Sequence, residues 1–350
     1  MSENRPPRFS FARLTALAGL VLLTAVPAAL PTPAAAATAS RCRPVSVPAP
    51  VADQTATLRG TLCLPSGQAP DTVQLLLAGA TFDQAYWLTP ADTRSPSYVR
   101  YMAEAGYAVL ALDRPGTGLS DRTPAAATDL GSEAGAVHEV VGRLRTGAVD
   151  GHAYRRVIGV GHSFGSSVLL TEAARNGDLD ALAVTGFVHS VGPRLEELNE
   201  AIVPAADDPL LGLSRPPSGY LTTKTGSRAD LFLDRAGVSP LMPSVIELTK
   251  TTMTTGEQAT LAEAGDPAIS GAVRVPVFLA VGGHDDLFCN GPYLQCTDAE
   301  AVKTWESWFF PPEAHLETFV LDGAGHALNL HRNATAWFAA AREWLDGLSR

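Results

Sequence analysis

Six short, continuous apolar runs constrain this chain more than any other feature. They are "TVQLLLAG" (72–79), "AVLALD" (108–113), "RVIGVG" (156–161), "LAVTGFVHS" (182–190), "VPVFLAVGG" (275–283) and "ETFVLDG" (317–323). Each is too short for a buried helix and carries no polar alternation, the pattern of a strand covered on both faces. Helical segments lie between them. "SPSYVRYMAEAGY", "GSEAGAVHEVVGRLRTG", "SSVLLTEAARNG" and "AEAVKTWESWFF" carry start and stop signals such as serine caps and closing glycines. Strand–helix alternation of this kind predicts an α/β fold, a mostly parallel central sheet flanked by helices, with right-handed crossovers. Ahead of it, residues 43–65 read as a hairpin whose first strand, rich in proline, belongs at an edge. "HALNLHRNATAWFAAAREWLDGL" reads as a closing amphipathic helix.

The alternation stops near residue 194 and resumes near 273. The intervening stretch contains Pro-Pro, Ser-Gly and Thr-rich breaks and no strand-like apolar run, so residues 194–272 are expected to form a mainly helical cap inserted after strand six. The expected organisation is a signal peptide at 1–39, core at 40–193, cap at 194–272 and core again at 273–350. The leader expectation comes from Arg5, Arg8 and Arg13 ahead of "LTALAGLVLLTAVPAAL" and a tail of small residues. The run is marginal for a membrane span and Pro27 interrupts it, so export with cleavage between Ala36 and Ala39 is the expectation, with no stable membrane anchor afterwards.

The formal net charge is −10, and the leader holds three basic residues against one acidic. A mature chain is therefore more acidic still, without a Lys/Arg cluster, which argues against a nucleic-acid partner. Four cysteines in an exported chain suggest two disulfides, and the sequence-local pairing is Cys42–Cys63 with Cys289–Cys296. No Cys-x-x-Cys spacing supports a metal site instead.

The chemistry centres on "VIGVGHSFGSSVLL" (157–170). Ser163 lies between a buried strand and a helix, in Gly161-x-Ser163-x-Gly165. Such a turn strains the serine backbone, and flanking glycines let the adjoining chains pass closely. Serine needs a base, and "VLDGAGHALNL" offers His326 after a late strand; His331, further into the expected helix, is assigned to that helix's surface. The imidazole needs an acid, and "LAVGGHDDLF" offers Asp285, with Asp286 as the rival.

The order Ser…Asp…His on an alternating sheet resembles the α/β-hydrolase superfamily across nearly all of the mature chain. "LALDRPGTGLSD" (110–121) is similar to the family's Asp-x-x-Gly-x-Gly-x-Ser segment through Asp113, Gly116, Gly118 and Ser120; "GHSFGS", "VGGHDDLF" and "GAGHAL" resemble its nucleophile, acid and histidine turns. Where the family often has His-Gly, this chain has Ala78-Gly79-Ala80-Thr81. The resemblance implies an oxyanion hole from the N–H groups of Phe164 and Ala80, with Thr81 as a substitute. His162, His189 and Thr81 are candidates for touching substrate, as Tyr86, Trp87, Tyr220 and Phe232 are for lining an acyl pocket; His138 and His315 read as surface or packing residues. The implied activity is a secreted serine hydrolase acting on a small or medium hydrophobic ester or lactone, without metal or organic cofactor. Alternatives on the same fold are a peptidase or amidase, a thioesterase, a C–C hydrolase, or a non-catalytic binding protein.

Overall fold

A strand buried on both faces needs strand neighbours at its edges and a packed layer above and below. The computed structural model, which describes Met1 and residues 41–68 and 70–348, supplies both. The expected signal peptide falls outside the described residues. The described chain begins with the antiparallel hairpin β1 (Arg41–Val51) and β2 (Gln54–Leu64), followed by β3 (Thr72–Leu77), α1 (Ala85–Leu88), α2 (Tyr98–Glu104) and β4 (Ala108–Leu112). Next come α3 (Leu130–Thr146), β5 (Arg156–His162), α4 (Phe164–Asn176) and β6 (Ala181–Thr185). The excursion carries α5 (Leu195–Glu200), β7 (Ile202–Pro204), β8 (Tyr220–Thr223), α6 (Arg228–Phe232), α7 (Met242–Leu248), β9 (Met253–Thr254), α8 (Thr255–Ala259) and α9 (Pro267–Ser270). It is followed by β10 (Val277–Gly282), α10 (Ala299–Glu306), β11 (Glu317–Leu321) and α11 (Thr335–Gly347).

Among the described residues the large sheet has eight strands, in the order β1-β2-β4-β3-β5-β6-β10-β11, parallel from β4 through β11. The proline-bearing β1 sits at one edge, where a missing N–H removes no ladder bond. The faces are sorted by the two-residue period of the strands. Val73, Leu75 and Leu77 of β3 join Val137, Val140 and Leu144 of α3 and Val168 of α4 in one core layer. Leu76, Val109 and Ala111 point the other way, against Tyr98 and Met102 of α2 and Trp337 and Phe338 of α11.

Three expectations are corrected. The run 182–190 is not one strand: β6 stops at Thr185, because Gly186 takes φ +59 and turns the chain across the end of the sheet. The last helix begins at Thr335, and residues 328–330 form a separate helical turn. The excursion also contains a small antiparallel sheet, β7-β8-β9, whose strands are two to four residues long, two of them bearing threonine. Strands so short leave no apolar run to read.

Candidate active site

One residue separates β5 from α4, and that residue is Ser163. Its φ of 52° with ψ of −123° lies in a region that side chains avoid, at a cost of roughly 1–3 kcal/mol. The surroundings enforce it. A Cβ on Gly161 would sit 2.4 Å from Ser166 Cα, one on Gly165 2.4 Å from the Leu77 carbonyl, and one on Gly79 2.8 Å from Ser163 Cβ itself. Two backbone bonds complete the turn: Ser163 N–H donates to Thr185 O and the Ser163 carbonyl accepts from Ser166, each at 2.8 Å.

The loops after β10 and β11 bring Asp285 and His326 together, Nδ1 to Oδ2 at 2.9 Å, with the carboxylate fully buried. Asp285 Oδ1 accepts the Leu287 N–H at 3.1 Å, whereas Asp286 accepts from Asn290. The acid thus occupies His326 Nδ1, which leaves Nε2 for other work. His331 proves to be buried, contrary to the expected surface position. Its Nε2 accepts the N–H groups of Asp234 and Gly325, both at 3.0 Å, and its Nδ1 donates to Ala327 O at 3.0 Å. Burial holds its pKa below the usual histidine range, keeping the neutral ring that this dual role requires. The two residues flanking His326 are therefore anchored by His331, a role that sequence reasoning missed.

Sequence reasoning also missed two buried arginines that hold the loop after β3. Arg114 donates to the carbonyls of Ala78 (2.9 Å) and Gly79 (3.0 Å) and is paired with Glu133 of α3 (3.0 Å) and Glu257 of α8. Arg228 of α6 donates to Thr81 Oγ1 (2.7 Å), Thr223 Oγ1 (3.1 Å) and the Ile246 carbonyl (2.8 Å). It lies 4.1 Å above the Phe82 ring, and burial pushes its pKa down to about 9. Thr81 itself has φ 61°. The motif that follows β4 serves the same loop: Asp113 accepts the Gln84 backbone N–H (2.8 Å), the Gln84 side chain (2.9 Å) and the Leu119 N–H (2.9 Å). A Cβ on Gly118 would strike that carboxylate at 2.4 Å. So held, the loop and the start of α4 present the N–H groups of Ala80 and Phe164, neither of which meets a backbone acceptor among the described residues.

Ser163, His326, Ala80, Thr81, Phe164 and His189 all line one cavity of about 900 Å³. Its remaining wall is largely aromatic and aliphatic, with Phe187, Phe288 and Phe309 beside Leu198, Ile202, Phe232 and Met253 from the excursion. Other candidates lie elsewhere. His162 is not in the wall; it stacks on Tyr86 at 4.2 Å, and burial, with His326 and Arg228 nearby, depresses its pKa well below the usual value. Tyr86 and Trp87 are core residues, and the Tyr220 hydroxyl is satisfied by Thr123. Sulfur–sulfur bonds join Cys42 to Cys63 across the first hairpin and Cys289 to Cys296 just after Asp285. His138 and His315 are exposed. Among the described residues, His138, Glu172 and Asp178 bring their ligand-type atoms within 4.8 Å of one another, outside the cavity.

Residues 74–341 match the model of the Alpha/beta hydrolase family. The chain belongs to that family. Solved structures agree on the fold. A thermostable carboxyl esterase from Bacillus coagulans is 15% identical, with a TM-score of 0.60 over 88% of this chain and 98% of that one. A lipase in an open form is 18% identical, with a TM-score of 0.58 over 89% and 100%. A meta-cleavage product hydrolase from Pseudomonas fluorescens is 13% identical, with a TM-score of 0.55 over 87% and 98%. No curated protein matches the sequence.

Proposed function

We propose that this alpha/beta hydrolase is a serine hydrolase of hydrophobic carboxylic esters or lactones. The observation that carries the reading is the shared cavity: a strained serine, a histidine oriented by a buried aspartate, and two N–H groups without backbone acceptors all border it. Ser163 Oγ attacks the carbonyl carbon while His326 Nε2 takes its proton. The carbonyl electrons move onto oxygen, which the N–H groups of Ala80 and Phe164 receive; one such donor is worth roughly 3–4 kcal/mol in the transition state. The histidine then protonates the leaving alkoxide as the C–O bond breaks. Water, deprotonated by His326, attacks the acyl-enzyme and releases the acid and Ser163. No metal or organic cofactor enters these steps.

The cavity's volume stands near the top of the range for small-molecule sites, roughly 300–1,000 Å³, and its apolar wall suits a medium-length acyl group. The excursion, residues 194–272, acts as the cap that supplies much of that wall. Export through the 1–39 leader is part of the proposal, and two disulfides are compatible with an oxidising compartment. No helix among the described residues is long and apolar enough to cross a membrane.

The test is hydrolysis of p-nitrophenyl esters of increasing acyl length by the parent and by Ser163→Ala, with fluorophosphonate labelling alongside. The expected result is turnover and labelling by the parent and neither by the variant, with the optimum at medium chain length. A folded parent that labels at Ser163 but leaves every ester intact directs the reading to amides, thioesters or C–C bonds. A folded parent that does neither overturns it in favour of a binding protein.

A further inference from the structure

Two buried polar atoms of residues that line the largely apolar cavity have no partner among the described residues. His189 Nε2 and Ser190 Oγ are buried, and neither meets a hydrogen-bonding group among the described residues. Both residues belong to the stretch that Gly186 swings across the sheet end, and both line the cavity that holds Ser163. Native proteins rarely leave such groups unpaired, so a lone pair of orphans on adjacent residues points to something that completes them.

His189 is held still. The fully buried Glu306 carboxylate takes its backbone N–H at 2.8 Å through Oε1 and its ring Nδ1 at 2.7 Å through Oε2. The ring stacks on Phe309 at 4.2 Å, its carbonyl accepts from Trp305 Nε1 at 2.9 Å, and the side chain is only 3% exposed. With a carboxylate as acceptor, Nδ1 of the neutral ring carries the hydrogen and Nε2 presents a lone pair. Ser190 Oγ can donate as well as accept. A hydroxyl matches both at once, since its O–H donates to Nε2 and its oxygen accepts from Oγ–H. A ketone or ester carbonyl satisfies the serine alone, and a carboxylate would face the lone pair of Nε2.

We propose that His189 and Ser190 form a hydroxyl-recognising subsite, so that the preferred substrates are apolar esters carrying a hydroxyl group away from the scissile bond. The proposal rests on the ester-hydrolase reading and names its substrate class. Glu306 is the positioning residue that sets the His189 tautomer.

Binding separates this idea from the reading beneath it. Ser163→Ala protein is titrated calorimetrically with methyl decanoate and with methyl hydroxydecanoates bearing the hydroxyl at each position from carbon 3 to carbon 10. One or two positions are expected to bind about tenfold more tightly than methyl decanoate, the worth of one well-made buried hydrogen bond. Adding Ser190→Ala, which removes a single buried oxygen and leaves the fold intact, is expected to erase that gain without changing methyl decanoate binding. A paired His189→Phe/Glu306→Leu replacement, which leaves no charge unpaired, is expected to do the same. The proposal is overturned if no position gains, if the gain survives both changes, or if no ester of the series binds; the first of these would assign the orphans to an ordered water. Failure of the parent to turn over esters, with the hydroxyl preference intact, overturns the ester-hydrolase reading and leaves the subsite standing.

Discussion

Asp285 and Asp286 are adjacent acids with opposite surroundings. Only Asp285 is fully buried and reaches His326, while Asp286 is tied to Asn290 in a half-buried loop. Asp285→Asn should lower kcat by about 10³–10⁴-fold through the wrong histidine tautomer, and Asp286→Asn should stay within a few-fold of the parent, as steady-state ester kinetics will show. His331 makes a second contrast at this scale. Replacing it with Phe strips the acceptor from the N–H groups of Asp234 and Gly325, at about 1–3 kcal/mol for each. Urea unfolding should register that loss, and kcat should fall with it because His326 lies between the anchored residues. The sequence marked Ser163 and His326 through their local turns. It could not mark His331, whose partner Asp234 is 97 residues away in the excursion; nothing near His331 distinguishes it from a histidine on a helix surface.

Among the elements, the loop after β3 is the one most dependent on distant chain. Its carbonyls are held by Arg114 and its threonine by Arg228, so the putting-together of a short Ala-Gly-Ala-Thr stretch draws on the turn after β4 and on α3, α6 and α8. Arg228→Met keeps the bulk against the Phe82 ring and deletes the bond to Thr81. The expected result is a fall in kcat of about tenfold with KM little changed, since the donors are needed most in the transition state. Thr81→Ser, which retains the hydroxyl, should leave kcat close to the parent value, and the pair of measurements separates anchoring from packing. The motif Asp113-x-x-Gly116-x-Gly118-x-Ser120 was legible as a family feature, yet its mechanical purpose was not. That purpose emerges only when the Asp113 carboxylate is seen to accept from Gln84 and Leu119. The small sheet of the excursion was illegible for a different reason: strands of two to four residues do not establish a period.

For the molecule as a whole, the six apolar runs were enough to indicate a doubly covered parallel sheet, because burial on both faces leaves few other arrangements. The ends of those runs were harder, as at Thr185, where a glycine conformation rather than composition stops the strand. Stability also carries a signature at this scale. Glu172 of α4 is pushed up to about 9, first by burial and then by Asp178 beside it, with His138 at the rim. Below the ordinary glutamate range both folded and unfolded chains hold the proton. As pH rises, the unfolded chain releases it while the folded chain keeps it, so folding weakens up to about pH 9. Glu172→Gln removes that penalty. Its melting temperature should track the parent near pH 4 and exceed it by a widening margin towards pH 9, by calorimetry.

The two clamps on the loop after β3 have a bearing on the order in which the chain is made. Ser163 leaves the ribosome before Arg228 and Glu257, and Asp285 and His326 follow them. A nascent chain that has completed only β1 to β5 therefore holds Ser163 without Asp285 or His326, beside a loop within reach of Arg114, Glu133 and Asp113 but still lacking Arg228 and Glu257. On the proposed mechanism, hydrolytic competence therefore arrives late in synthesis, after most of the cavity wall exists.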